Sequence, residues 1–125
     1  MIGLPGFMEV LGLSIERADA EEAVVRMDEP DVLRSPFGAV HGGFLAAVLD
    51  TSFGIALHRR VESSDRIATH NLNVTYVAFS RERILHCRAR VLSLRKSIAI
   101  VEGEVTTSDG TLVAKALGTF GVRRA

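Results

Sequence analysis

Val40-His41-Gly42-Gly43-Phe44-Leu45-Ala46-Ala47-Val48-Leu49-Asp50-Thr51-Ser52-Phe53-Gly54-Ile55-Ala56-Leu57 is the run from which the rest of this chain can be read. From Gly43 to Leu57 it is apolar almost all the way round, and its one ionisable residue is Asp50. That pattern predicts a helix enclosed by other structure rather than laid on a surface. Two adjacent glycines at the helix start leave backbone N–H groups open to a ligand, because the first turn has no intrahelical acceptors and no side chain blocks the approach. The stretch thus combines a donor site with a lone carboxylate. Gly42 and Asp50 are separated by about 12 Å along the axis of a continuous helix, too far for both to touch one reacting carbonyl. If both serve one site, Gly42 of one subunit must meet Asp50 of another. Two antiparallel copies of the helix across a two-fold axis would achieve this twice. An N–H group for an oxyanion and a carboxylate able to act as base or nucleophile point to acyl transfer to water. A plainer reading stands beside it: a buried Asp can serve only as a hydrogen-bond acceptor or ion-pair partner, and glycines before a helix can serve only close packing. The helix alone leaves both open.

On the N-terminal side, residues 1–10 read as a short helix. Leu11, Leu13 and Ile15 then alternate with polar or small residues as in a strand, and Ala23, Val25 and Met27 share one face of a second strand, making a hairpin. Glu29-Pro30-Asp31 breaks it, and Ser35-Pro36-Phe37-Gly38 is a loop in which Gly38 can take a positive φ. On the C-terminal side, His58-Arg59-Arg60 complements the negative end of the helix dipole. Ile67 to Phe79 reads as a strand with Leu72, Val74 and Tyr76 facing one way and Thr69, Asn71, Asn73 and Thr75 the other. Leu85, Cys87, Ala89 and Val91 form the dry face of the next strand, and His86, Arg88 and Arg90 its wet face. Ile98 to Val105 follows, then the turn Ser108-Asp109-Gly110 and a last strand from Leu112 to Val122. Two strands, one helix and four more strands make an α+β fold in which an antiparallel sheet curls around the helix. The face left over points to self-association, as a dimer at least.

The chain of 125 residues suits one domain spanning 1–125. Fifteen basic residues balance fifteen acidic ones, so nothing steers the molecule toward nucleic acid or an anionic membrane. A single cysteine, Cys87, excludes an intramolecular disulfide and fits a cytoplasmic protein. No targeting signal is visible in the first ten residues, and the longest apolar run falls short of the roughly 20 residues that span a bilayer.

His41-Gly42-Gly43 followed by Asp50, together with the strand Asn71-Leu72-Asn73-Val74-Thr75-Tyr76, resembles the hot-dog-fold acyl-CoA thioesterases of the phenylacetic-acid-degradation type. The resemblance covers nearly the whole chain, from the first hairpin to Gly118-Thr119-Phe120-Gly121-Val122. It implies that Gly42 supplies the N–H that polarises the thioester carbonyl, and that Asp50 of the partner subunit attacks the carbonyl or activates water. It further implies that Thr69 positions the water or the carboxylate and that His41 is a positioning residue beside the glycine. Gly43 and Ser35 fall in the expected substrate-binding set. Ser35 is a departure, because many relatives carry Asn or Gln there and the serine side chain is shorter. CoA would be part of the substrate and no cofactor is implied.

Other constellations are weaker. His41, His58, His70 and His86 lack paired metal-ligand spacing, so no metal is expected. Ser52 lacks the glycine two residues before it that a nucleophile elbow needs. Cys87 belongs to an apolar strand face, not to the electropositive setting of a reactive thiol. No nucleotide-binding glycine motif occurs. Three readings therefore stand: an acyl-CoA thioesterase, a hot-dog hydratase or dehydratase acting on acyl thioesters, and an acyl-CoA-binding dimer without turnover.

Overall fold

The computed structural model describes residues 5–125, so the first four residues of the expected N-terminal helix lie outside the described part. The elements run α1 (Pro5–Val10), β1 (Leu13–Ala18), β2 (Ala23–Asp28), a 3-10 turn (Asp31–Leu33), α2 (Gly42–His58), β3 (Arg66–Tyr76), β4 (Ile84–Leu94), β5 (Ile98–Thr106) and β6 (Leu112–Arg123). All strands join one antiparallel sheet in the order β1-β2-β4-β5-β6-β3, with α2 packed on its concave side. This is the α+β hot-dog arrangement that the resemblance implies.

The turns follow local chemistry. Gly38 and Gly110 take φ values of +83° and +91°, where a Cβ would be strained. Asp109 accepts hydrogen bonds from both flanking threonines, Thr107 and Thr111, and so closes the β5–β6 hairpin. Alternation is obeyed on the central strands: Leu85, Cys87 and Ala89 of β4 are fully buried under α2. On the outer face His86, Arg88 and Arg90 pair with Glu16, Glu22 and Glu102 at 2.9, 3.0 and 2.9 Å.

α2 seats its Phe53 ring in a slot that only glycine leaves open. A Cβ on Gly103 would lie 2.5 Å from the ring and one on Gly118 2.8 Å from it, so the small residues of β5 and β6 exist to admit it. The ring meets Phe120 edge to face, with centroids 6.5 Å apart. This contact fixes the helix lengthwise on the sheet, and with it the spacing of Gly42 and Asp50 from the strands.

Three expectations change. The helix is not enclosed on all sides by its own chain. Phe44, Leu45, Val48, Leu49, Ser52, Phe53, Ala56 and Leu57 form the buried stripe, while Ala46, Ala47, Asp50, Thr51, Gly54 and Ile55 are only half-buried. The sheet bends around one face and stops. The first strand begins at Leu13, leaving Leu11 in the preceding turn, and Ile15, although on the same face as Val25, is 49% exposed. β1 is an edge strand with a bulge after Ile15, at the limit of what the helix covers. Finally, β3 ends at Tyr76 rather than Phe79, because Val77 and Ala78 turn to donate their N–H groups to Val113 C=O at 2.8 and 3.2 Å.

Candidate active site

The N-terminus of α2 is built by His41. Its backbone is extended, at φ −64° and ψ 132°, and its Nδ1 accepts the Gly43 N–H at 2.9 Å, capping the helix with an imidazole. Its carbonyl takes the N–H groups of Phe44 and Leu45 at 3.0 and 3.1 Å. Among the described residues Gly42 N–H has no acceptor. The sequence leads to an expectation of two open donors; the structure leaves one, because the residue before the glycines caps the second.

Gly42 borders a cavity of about 350 Å³ whose walls include Val40, Leu45, Tyr76, Phe79 and Val113. Tyr76 donates its hydroxyl to Gly42 C=O at 2.7 Å, and its ring would stand 3.3 Å from a Cβ on Gly42. A Cβ here would press on the Tyr76 ring by a few tenths of an ångström, so glycine gives the easier fit as well as open access.

The approach to His41 is held by a charged strap that carries no sequence signal. Glu29 has a fully buried side chain whose Oε1 accepts from Arg34 at 2.5 Å and lies 3.5 Å from the Arg83 guanidinium. Arg34 also donates to Gly38 C=O at 2.9 Å and Arg81 C=O at 3.2 Å. Val40 N–H reaches Ser80 C=O at 3.3 Å. These bonds tie the loop before α2 to the segment after β3, so the two walls of the cavity keep their separation. The partners that cross between the two segments, such as Arg34 with Arg81 and Glu29 with Arg83, are 47 and 54 residues apart in the chain. Arg83 also pairs with Asp31, and the guanidinium holds that carboxyl below the ordinary aspartate range. Arg81 stacks over Phe79 at 5.1 Å.

Asp50 lies two turns further along α2, half-buried, and accepts the Thr69 hydroxyl on Oδ1 at 2.7 Å. Thr69 therefore faces the helix, contrary to its assignment with Asn71, Asn73 and Thr75. The reason is a β-bulge: the register of β3 against β6 shifts between Thr69 and Asn71, His70 is the extra residue, and facing parity reverses across it. Thr69 thus shares the inner face with Leu72 and Val74 although the interval is odd. The His70 ring lies over Gly121, where a Cβ would meet it at 2.4 Å. Ser35 stands apart: its hydroxyl accepts the Phe37 N–H at 3.2 Å and closes a local turn. Within one chain the structure thus brings together His41, Gly42, Gly43 and Tyr76 in one group and Asp50 with Thr69 in another, about 12 Å apart by helix rise.

Cys87 is buried in the core, and burial pushes its thiol up to about 12, with Ser52 nearby. It lies on the dry face of β4, away from both groups. No helix among the described residues is long and apolar enough to cross a membrane.

Comparison with known proteins agrees with this fold. A structure of a Bacillus halodurans protein solved with CoA is 33% identical to this chain, with a TM-score of 0.75, covering 78% of this chain and 69% of that one. A phenylacetic-acid-degradation-related protein of Ralstonia eutropha is 29% identical with a TM-score of 0.87, over 96% of this chain and 92% of its own. The 1,4-dihydroxy-2-naphthoyl-CoA hydrolase of Listeria monocytogenes is 21% identical over 95% of this chain and 97% of its length. The family model of the thioesterase superfamily matches residues 37–114, the segment that holds the His41 cap, α2, the Thr69 bulge and the central strands. The chain belongs to the thioesterase superfamily, and its reaction class is thioester hydrolysis.

Proposed function

We propose that this chain is an acyl-CoA thioesterase of the phenylacetic-acid-degradation type, acting in the cytoplasm as a homodimer or dimer of dimers. Each site combines Gly42 and His41 of one subunit with Asp50 and Thr69 of the partner subunit. The observation that carries the reading is the split site itself: an unpaired N–H at one end of α2 and a hydroxyl-bound carboxylate about 12 Å along it. Around it lies support for pairing. The half-buried face of α2 is small and largely apolar, and the adjacent edge strand β3 has exposed or half-buried side chains throughout and no neighbour on its outer side. The outer sheet face, by contrast, is laced with ion pairs. Antiparallel pairing of two β3 strands would bring each Gly42 toward the other subunit's Asp50.

The chemistry then follows. The thioester carbonyl oxygen takes the Gly42 N–H, a donor that strengthens its bond as negative charge develops on the oxygen. Thr69 holds Oδ1 of Asp50, leaving Oδ2 to take a proton from water. The hydroxide adds to the carbonyl carbon, the tetrahedral intermediate collapses, the C–S bond breaks and the sulfur leaves with the proton. The products are a carboxylic acid and CoA thiol, and no cofactor enters. Ser35 contributes to the loop by accepting the Phe37 N–H on its hydroxyl oxygen.

The test is thiol release from a panel of aryl and aliphatic acyl-CoAs by the wild type, Asp50→Asn and Asp50→Ala. Turnover that falls at least about a hundredfold in both variants supports the reading. Binding without turnover in all three would replace it with an acyl-CoA-binding dimer. Hydration of an enoyl thioester without thiol release would replace it with a hydratase.

A further inference from the structure

We propose that Tyr76 is a positioning residue for this reaction, acting through one hydrogen-bonded chain that fixes the Gly42–Gly43 peptide and holds His41 with its proton on Nε2. The catalytic half of this inference rests on the hydrolase reading above; the structural half rests on geometry alone.

The chain has two links. Tyr76 donates its hydroxyl to Gly42 C=O at 2.7 Å, and Gly43 N–H, the other end of the same peptide unit, donates to His41 Nδ1 at 2.9 Å. Hydrogen bonding at an amide oxygen polarises the amide and strengthens its N–H as a donor, so the links reinforce one another. A ring nitrogen that accepts a backbone N–H carries no proton, and the neutral imidazole must then be protonated at Nε2.

Glycine makes this support necessary. Gly42 N–H lies in the peptide plane shared with His41, and with no side chain to restrict φ and ψ at Gly42 that plane can turn relative to the next one. The plane before it is held because His41 C=O takes the N–H groups of Phe44 and Leu45 at 3.0 and 3.1 Å. The plane after it is held by Tyr76 on one edge and His41 on the other. Tyr76 itself is anchored as the last residue of β3, where the next two residues bond to Val113. Without the hydroxyl, the Gly42–Gly43 plane loses its strand-side tether, and the hinge at Gly42 between it and the plane that carries Gly42 N–H is held from one side only.

The test pairs kinetics with spectroscopy on Tyr76→Phe, which removes only the hydroxyl. Long-range proton–nitrogen correlation of the imidazoles, with His41→Gln to assign the His41 signals, reports the tautomer directly. The wild type is expected to show His41 as the Nε2–H form. In Tyr76→Phe the Nδ1–H form should gain population, and kcat should fall about tenfold with KM within about twofold of wild type. An unchanged tautomer, an unchanged kcat or a loss confined to KM overturns the proposal, the last making Tyr76 a cavity wall only. A wild-type His41 found mainly as Nδ1–H overturns it without any variant, which covers the case of Tyr76→Phe failing to fold. A wild type that cleaves no thioester sinks the hydrolase reading and the kinetic half with it, while the two spectra still judge the chain.

Discussion

If Gly42 and Asp50 act across a two-fold axis, two inactive proteins should make an active one. Asp50→Ala removes the carboxylate. Gly42→Pro removes the N–H at the first helical position, where proline is otherwise well tolerated. Each homodimer should lose at least about a hundredfold in kcat, the usual loss for an oxyanion donor or a catalytic base. In the heterodimer, one site takes Gly42 from the Asp50→Ala chain and Asp50 from the Gly42→Pro chain, so it is intact. The other site carries both defects. Heterodimers isolated through two different tags should therefore recover about half the wild-type turnover per dimer, with unchanged KM at the surviving site. Gly42→Ala is the control, because it adds the Cβ that meets Tyr76 at 3.3 Å yet keeps the N–H. Acyl-CoA hydrolysis followed by thiol release is the assay. A heterodimer as inactive as its parents would refute the two-chain site, as would full activity in a species that sediments as a monomer.

Three further outcomes concern the scaffold. Phe53→Ala should destabilise the fold by about 3 to 5 kcal/mol, because the slot under Gly103 and Gly118 has no side chain to collapse into it; urea denaturation measures this. Cys87 should not react with a thiol reagent in the native protein, its thiol being buried and pushed up to about 12, and should react fully once denaturant unfolds the chain. Backbone N–H groups of Ala125 and Glu62, then the Arg124 guanidinium, hold the Asp65 carboxyl below the ordinary aspartate range. A carboxylate lowered on folding contributes stability that is fully present above about pH 4 and is lost as pH falls through its folded value. Melting temperatures taken from pH 7 down to pH 3 should therefore fall less steeply for Asp65→Asn than for wild type, and parallel curves would contradict this.

The sequence by itself determined the element order, the long central helix, the β5–β6 turn and the burial of Cys87, because each depends on local periodicity or on a glycine dihedral. It also singled out Gly42, Asp50 and their separation, which follow from helix rise. Tertiary structure alone decided which way Thr69 points, since one inserted residue at His70 reverses facing and alternation cannot announce a bulge. It decided that α2 shows one half-covered face, since how far a sheet curls depends on six strands at once. It decided that His41 closes the Gly43 donor, that Ser35 is engaged in its own turn, and that Tyr76 bears on Gly42 from 34 residues away. The Glu29–Arg34–Arg83 strap belongs with these: its charges look like ordinary loop residues until folding buries the carboxylate between two distant segments.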